Sequence, residues 1–200
     1  MSVDVETSGL DRRADELLEI GAAVVDLAGG VLAEFSAMID RPCGGFDEEA
    51  LAINGYRERI ELARADGLAM TPEEARRAFQ EFTEGVLRRW PETKLVGWNV
   101  GFDLDFIDRF MGGGDGPRWS DRFGWHHLDA KAVARAFADI GPLPDGYRGS
   151  ALADVAASLG VDPGRSHRAL DDARTAVAVY ARLLEEIKGG FVPVPALRAA

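Results

Sequence analysis

Asp4 and Glu6 stand one residue apart in the stretch Val3-Asp4-Val5-Glu6-Thr7-Ser8-Gly9-Leu10. Side chains alternate along a strand, so the two carboxylates project from one face while Val3 and Val5 point to the other and can enter a core. Thr7-Ser8-Gly9 are turn formers that end the strand. Like charges this close repel, and a divalent cation is the usual remedy. A D-x-E pair by itself reads as a solvated edge strand, so metal chemistry requires further acids to join it.

Two further acids qualify by periodicity. In the helix expected after Asn99, Asp103 falls in line with Phe106, Ile107 and Phe110, at the i+3, i+4 and i+7 positions of one face. Asp105 falls instead with Asp108 and Arg109, which reads as a solvated face. A carboxylate on an apolar stripe is costly unless something pairs with it, so Asp103 is the recruited acid. In the last helix the expected core stripe is Leu170, Ala173, Val177, Tyr180, Leu184 and Ile187. Asp172 lies beside it, with Ala169, Ala176, Val179 and Leu183, whereas Asp171 falls with Thr175 and Arg182 on the far side. A first-turn acid can also simply complement the helix dipole; the periodicity favours Asp172 for a site.

Asp4, Glu6, Asp103 and Asp172 offer only oxygen donors, which select hard ions such as Mg²⁺ or Mn²⁺ over zinc. A two-ion site of this kind can bind a phosphodiester, activate water and stabilise the departing oxygen. Histidine is the side-chain type suited to proton transfer at neutral pH, and His167, five residues before Asp172, could accept the proton of that water. His126-His127 is a poor metal pair, because neighbours in a strand face opposite ways. The glycine-rich run 112–116 lacks the lysine and spacing of a phosphate-binding loop.

The elements that position these residues can be outlined from pattern. Residues 17–26 and 31–39 read as antiparallel strands joined through Gly29-Gly30. A short helix over 47–53 should stop at Asn54-Gly55. Thr71-Pro72-Glu73-Glu74 is a strong helix start, with a capping box and proline at the first position, for a helix reaching about residue 90. Residues 94–98 should form a short buried strand leading to Asn99, a good N-cap for a helix to about residue 111. A last strand is expected over 125–128, with Asp129 capping a helix through 137. A loop over 142–146 precedes a helix ending near Leu159 with Gly160 as its cap. The last helix follows His167 and reaches about residue 187. Together this is an α/β fold with a mixed sheet, a domain over 1–188, and an extended tail over 189–200.

The chain has 200 residues, 46% of them hydrophobic, which suits one globular domain with a real core. Its lone Cys43 excludes a disulfide framework and a cysteine zinc site. No signal peptide or membrane-spanning run is visible, so the expected location is cytoplasmic, with no membrane partner. The net charge of -11 argues against a protein that coats nucleic acid non-specifically, though not against an enzyme that handles one strand end. Two divalent ions would offset the four clustered carboxylates.

D-V-E-T-S-G-L, N-V-G-F-D-L-D-F and H-R-A-L-D-D-A resemble, in order and spacing, the three motifs of the DEDD exonucleases. The match is to the DnaQ-like branch whose third motif begins with histidine, which includes the epsilon subunit of bacterial DNA polymerase III, ribonuclease T and oligoribonuclease. It covers about residues 1–187. The resemblance implies a ribonuclease H-like fold of mixed sheet flanked by helices, and stepwise 3′→5′ release of nucleoside 5′-monophosphates. It implies that Asp4, Glu6, Asp103 and Asp172 bind two Mg²⁺ or Mn²⁺ ions and that His167 is the general base. By the same resemblance Thr7, Ser8, Gly9 and Leu10 line the terminal nucleotide, with Leu10 against the base, and Asn99 and Phe102 belong to the second motif. Asn99 has capping, and Phe102 core packing, as alternative duties. Ile53-Asn54-Gly55 resembles a family segment near the substrate groove. The expected partner is a single-stranded 3′ end of DNA or RNA, with a polymerase-associated proofreading subunit as the nearest variant. A non-catalytic nuclease-fold binding module is the alternative of another class, and loss of one of the five residues would have favoured it.

Overall fold

The computed structural model describes residues 1–26, 29–42, 44–112, 117–140 and 151–190. Six strands form one mixed sheet in the order β4-β3-β2-β1-β5-β6. They are β1 (Ser2–Thr7), β2 (Leu17–Val25), β3 (Val31–Ile39), β4 (Ala69–Met70), β5 (Val96–Gly97) and β6 (Leu128–Asp129). The first three are antiparallel neighbours, and the short strands β4, β5 and β6 add in parallel. Strand β1 is thus central, with Val3 and Val5 buried in the core.

Seven α-helices lie among the described residues: α1 (Glu48–Asn54), α2 (Tyr56–Ala65), α3 (Pro72–Arg89), α4 (Val100–Phe110), α5 (Ala130–Ile140), α6 (Leu152–Ser158) and α7 (Ala169–Gly190). One core packs α3 and α4 against the sheet through Phe79, Val86, Leu104, Phe106 and Ile107. A second joins α5, α6 and α7 through Ala134, Phe137, Val155, Val179 and Leu183. No helix among the described residues is long and apolar enough to cross a membrane.

Local signals account for most helix ends. Asp47 caps α1 by accepting from the amides of Glu49 and Ala50, and Gly55, at φ 61°, ends it. Thr71 and Glu74 form the reciprocal capping box at the start of α3. Asp129 caps α5 through the amides of Lys131 and Ala132. Gly160, at φ 69°, follows α6.

Several expectations are corrected. The strand expected over 94–98 pairs only at Val96–Gly97, and the one over 125–128 begins at Leu128; Trp125 is 92% exposed and outside the sheet. Helix α2, strand β4 and a 3₁₀ turn at Trp119–Phe123 are additional to the elements expected from pattern. Asp108 and Arg109 are not on a solvated face. Buried Asp108 accepts from the amide and hydroxyl of Ser120 and from Arg118, and Arg109 donates to the carbonyls of Arg13 and Asp15. Helical spacing could not anticipate this, because the partners come from distant loops. In α7 the fully buried face is Ala169, Ala173, Ala176, Val179 and Leu183, while Ile187 is exposed, so Asp172 lies in line with the core face rather than beside it. Thr175 is also buried, bonded to the Pro163 and Asp171 carbonyls. Helix α7 continues through Gly190, where an extended tail was expected. Cys43, most of the glycine run, the 142–146 loop and residues 191–200 lie outside the described residues.

Candidate active site

The site is built on β1 and what packs over it. Across the antiparallel ladder Asp4 faces Gly21 and Glu6 faces Glu19. A Cβ at Gly21 would meet the Ala169 backbone at 2.1 Å, so the start of α7 rests directly on bare β2 backbone. That contact carries the first turn of α7, with Asp172, to the acids of β1. Asp172 Oδ2 accepts from the His167 amide at 2.8 Å, and His167 holds a left-handed φ of 59°. Such a backbone is uncommon for a non-glycine residue and clusters at functional sites. One ligand atom each from Glu6, His167 and Asp172 lie within 4.8 Å of one another.

Asp103 arrives from the other side. Strand β5 pairs with β1 only at Ser2 and Val96, so the β1 edge is open beyond that point. The buried Asp103 carboxylate accepts from the Val5 amide at 3.1 Å, between Asp4 and Glu6. Glu6, His167 and Asp172 thus form one close cluster at the end of β1, and Asp4 and Asp103 lie beside it, near enough for Asp4 to feel the charges of Asp103, Glu6 and Asp172. Asp105 stays at the surface, paired with Arg12 and Arg118.

The electrostatics are those of an acid cluster short of positive charge. Burial, then Asp103, Glu6 and Asp172, hold the Asp4 carboxyl well above the usual carboxylate range. Burial, Glu19 and Asp172 push Glu6 up to about 8. Burial raises Asp103 against the opposing Val5 hydrogen bond, and burial raises Asp172 as well. Clustered oxygen donors whose negative charge is this poorly compensated fit hard divalent cations.

The surroundings include residues that sequence reasoning missed. Glu19, 4% exposed, forms an ion pair with Arg59 of α2 at 2.6 Å. Buried Asn54 donates to the Thr7 carbonyl and accepts from the Tyr56 amide, while its own carbonyl accepts from both Arg59 and Arg168. A carboxylate within the apolar run Leu17-Leu18-Glu19-Ile20 was the available signal, the same one that singled out Asp103.

The expected substrate residues differ in what they present. Leu10 is 81% exposed at the end of the first motif. The Thr7 hydroxyl donates to the Gly9 carbonyl, and the Ser8 hydroxyl binds Asp15 and the Glu16 amide, so both are occupied within the loop. A Cβ at Gly9 would meet the Asp15 carboxylate at 2.3 Å and push it from its bonds to Ser8 and the Asp11 amide. Phe102 is half-buried on Phe106, ring centres 5.0 Å apart, with the Arg12 guanidinium over the Phe102 ring at 5.4 Å from its centre. Asn99 precedes α4 but its side chain caps nothing. It adopts a left-handed φ of 65°, and its amide donates to Asp129 instead. His126 and His127 form no metal cluster among the described residues.

The sequence model of the family described as "Exonuclease" (RNase T) matches residues 1–180. The chain belongs to this exonuclease family. Relatives include the PolC-type DNA polymerase III of Thermotoga maritima, 27% identical over 93% of this chain but only 12% of the polymerase. The 3′-5′ DNA exonuclease Cap18 of Escherichia coli is 29% identical, with 94% of this chain and 91% of that protein aligned. The DNA polymerase III subunit epsilon of Treponema pallidum is 28% identical over 90% of this chain and 74% of the subunit. Among solved structures, the exonuclease I of Methylocaldum szegediense superposes with a TM-score of 0.69 at 20% identity, over 94% of this chain and 40% of that one. The chain thus spans well under half of the exonuclease I chain and about an eighth of the PolC-type polymerase. The shared fold is the ribonuclease H-like mixed sheet flanked by helices.

Proposed function

We propose that this chain is a divalent-metal-dependent 3′→5′ exonuclease that removes nucleoside 5′-monophosphates from single-stranded ends of DNA or RNA, working in the cytoplasm. The observation that carries the reading is the convergence of four carboxylates from three separate stretches of chain on the end of β1, with His167 beside them. Asp4, Glu6, Asp103 and Asp172 would hold two Mg²⁺ or Mn²⁺ ions, which when bound polarise a phosphodiester and acidify an attacking water. His167 accepts the proton of that water: its imidazole reaches the carboxylates, and its exposed position lets it pass the proton to solvent. Asp103 is fixed by the Val5 amide, and Asp172 by the His167 amide, so neither needs to reorganise during the reaction. Exposed Leu10 offers an apolar surface to the terminal base.

The names of the relatives support both sugars, since Cap18 is a DNA exonuclease and oligoribonucleases of Alkalilimnicola ehrlichii and Escherichia coli also align. The PolC-type and epsilon relatives support association with a polymerase. The test is degradation of 5′-labelled DNA and RNA oligomers with each metal. Stepwise shortening from the 3′ end, mononucleotide products and arrest by chelator are expected. Hydrolysis that persists in chelator would overturn the reading.

A further inference from the structure

Glu6 and Glu19 are directly opposed on one face of the β1–β2 ladder, a pairing that brings Cβ atoms to about 5 Å. Two like charges in that position destabilise the sheet unless one is compensated. Here the compensation goes to Glu19: the Arg59 guanidinium, 15% exposed, sits on the Glu19 carboxylate at 2.6 Å. The Arg59 charge nevertheless acts on Glu6 as well, and Arg168 lies close enough to sense both acids. Both guanidiniums are anchored to the Asn54 carbonyl, which pins them at this edge of the acid cluster. A buried arginine beside a carboxylate cluster is a competitor for the cations the cluster would take, because a guanidinium forks onto a carboxylate with good geometry.

We propose that Glu19 is a positioning residue that holds Arg59 off Glu6, leaving the Glu6 carboxylate free to ligate metal. The inference rests on the nuclease reading above and adds a residue to it. Without the Glu19 charge, Arg59 turns across the ladder to the facing carboxylate and neutralises Glu6. The Asn54 link keeps Arg59 within reach in either arrangement. Outer-shell partners of this kind change metal affinity by about 10–100-fold when mutated.

Mn²⁺ binding to the intact chain, followed by calorimetry without nucleic acid, is the readout. Glu19→Gln keeps the side-chain shape and is expected to weaken Mn²⁺ binding by about 10-fold or more. Turnover of this variant should recover at high Mn²⁺ with the oligonucleotide KM unchanged. In Glu19→Gln/Arg59→Gln the competing cation is gone, and Mn²⁺ affinity should return to near the native value. Arg59→Gln alone should bind Mn²⁺ at least as tightly as the native chain, a measurement that stands even where Glu19→Gln fails to fold. Native-like binding by Glu19→Gln, a double variant as weak as the single one, or weakened binding by Arg59→Gln would each overturn the proposal. A native chain that binds no Mn²⁺ would overturn the nuclease reading, and this inference with it.

Discussion

Four acidic neighbours, Asp103, Glu6, Asp172 and Glu19, act on Asp4, and it contributes to the site only at a cost in charge repulsion. Replacing it should therefore separate activity from stability. Asp4→Ala is expected to lower kcat by at least about 10³-fold while the melting temperature of the metal-free protein holds or rises, since an unfavourable buried charge is gone. Undiminished turnover by this variant would remove Asp4 from the site. His167 differs, because its amide rather than its ring fixes Asp172. His167→Ala keeps that amide, so kcat should fall by about 10²–10⁴-fold while Mn²⁺ affinity stays within a few-fold in calorimetry. At this scale the sequence spoke clearly for Asp103 and Asp172, because an acid in line with apolar residues three and four positions away is costly without a partner. It spoke less clearly for Glu19, whose partner Arg59 lies forty residues on in a helix that no local pattern announced.

Elements carry the site through a few close approaches. The start of α7 can rest on β2 because Gly21 has no side chain there. Gly21→Val would force the two apart and is expected to cost about 1–3 kcal/mol, read as a lower melting temperature, and to abolish Mn²⁺ binding by moving Asp172 from Asp4. The α1–α2 junction is a second support. Asn54→Ala would remove the buried bonds to the Thr7 carbonyl and from the Tyr56 amide, at about 1–3 kcal/mol, and loosen the end of β1. Thr71→Ala supplies the contrast: it should cost about 1 kcal/mol through the lost α3 cap with kcat/KM unchanged. Capping signals were legible because they are local. The short strands were legible only in part: β5 lies inside the expected 94–98 stretch, β6 overlaps the expected 125–128 stretch only at Leu128, and β4 gave no pattern, because two-residue pairings depend on what lies beside them rather than on their own composition.

For the whole molecule, the acid cluster links folding to protons and metal. Glu6 has a native pKa of about 8 against 4.5 for the free side chain, so between those values the folded state binds a proton that the unfolded state has released. Stability of the metal-free protein should therefore fall as pH rises from about 5 to 8, by on the order of 4 kcal/mol, and level off above that range. The raised Asp4, Asp103 and Asp172 carboxyls act in the same direction. Saturating Mg²⁺ or Mn²⁺ should flatten the dependence, because cations replace the protons, and thermal melts across pH with metal and with chelator check it. A metal-free melting temperature that climbs through this range would contradict the assigned burial of the cluster. The sequence alone marked out Asp4, Glu6, Asp103, Asp172 and His167 as candidates, the first strand as a strand, and the helices with strong caps, since these depend on residue type and short-range spacing. Tertiary structure alone decided that Glu19 faces Glu6 under the hold of Arg59, that Asn99 leaves its helix uncapped, and that Asp108 is buried. Each of these rests on a partner brought from far along the chain by strand register or helix packing, and no local periodicity encodes such a meeting.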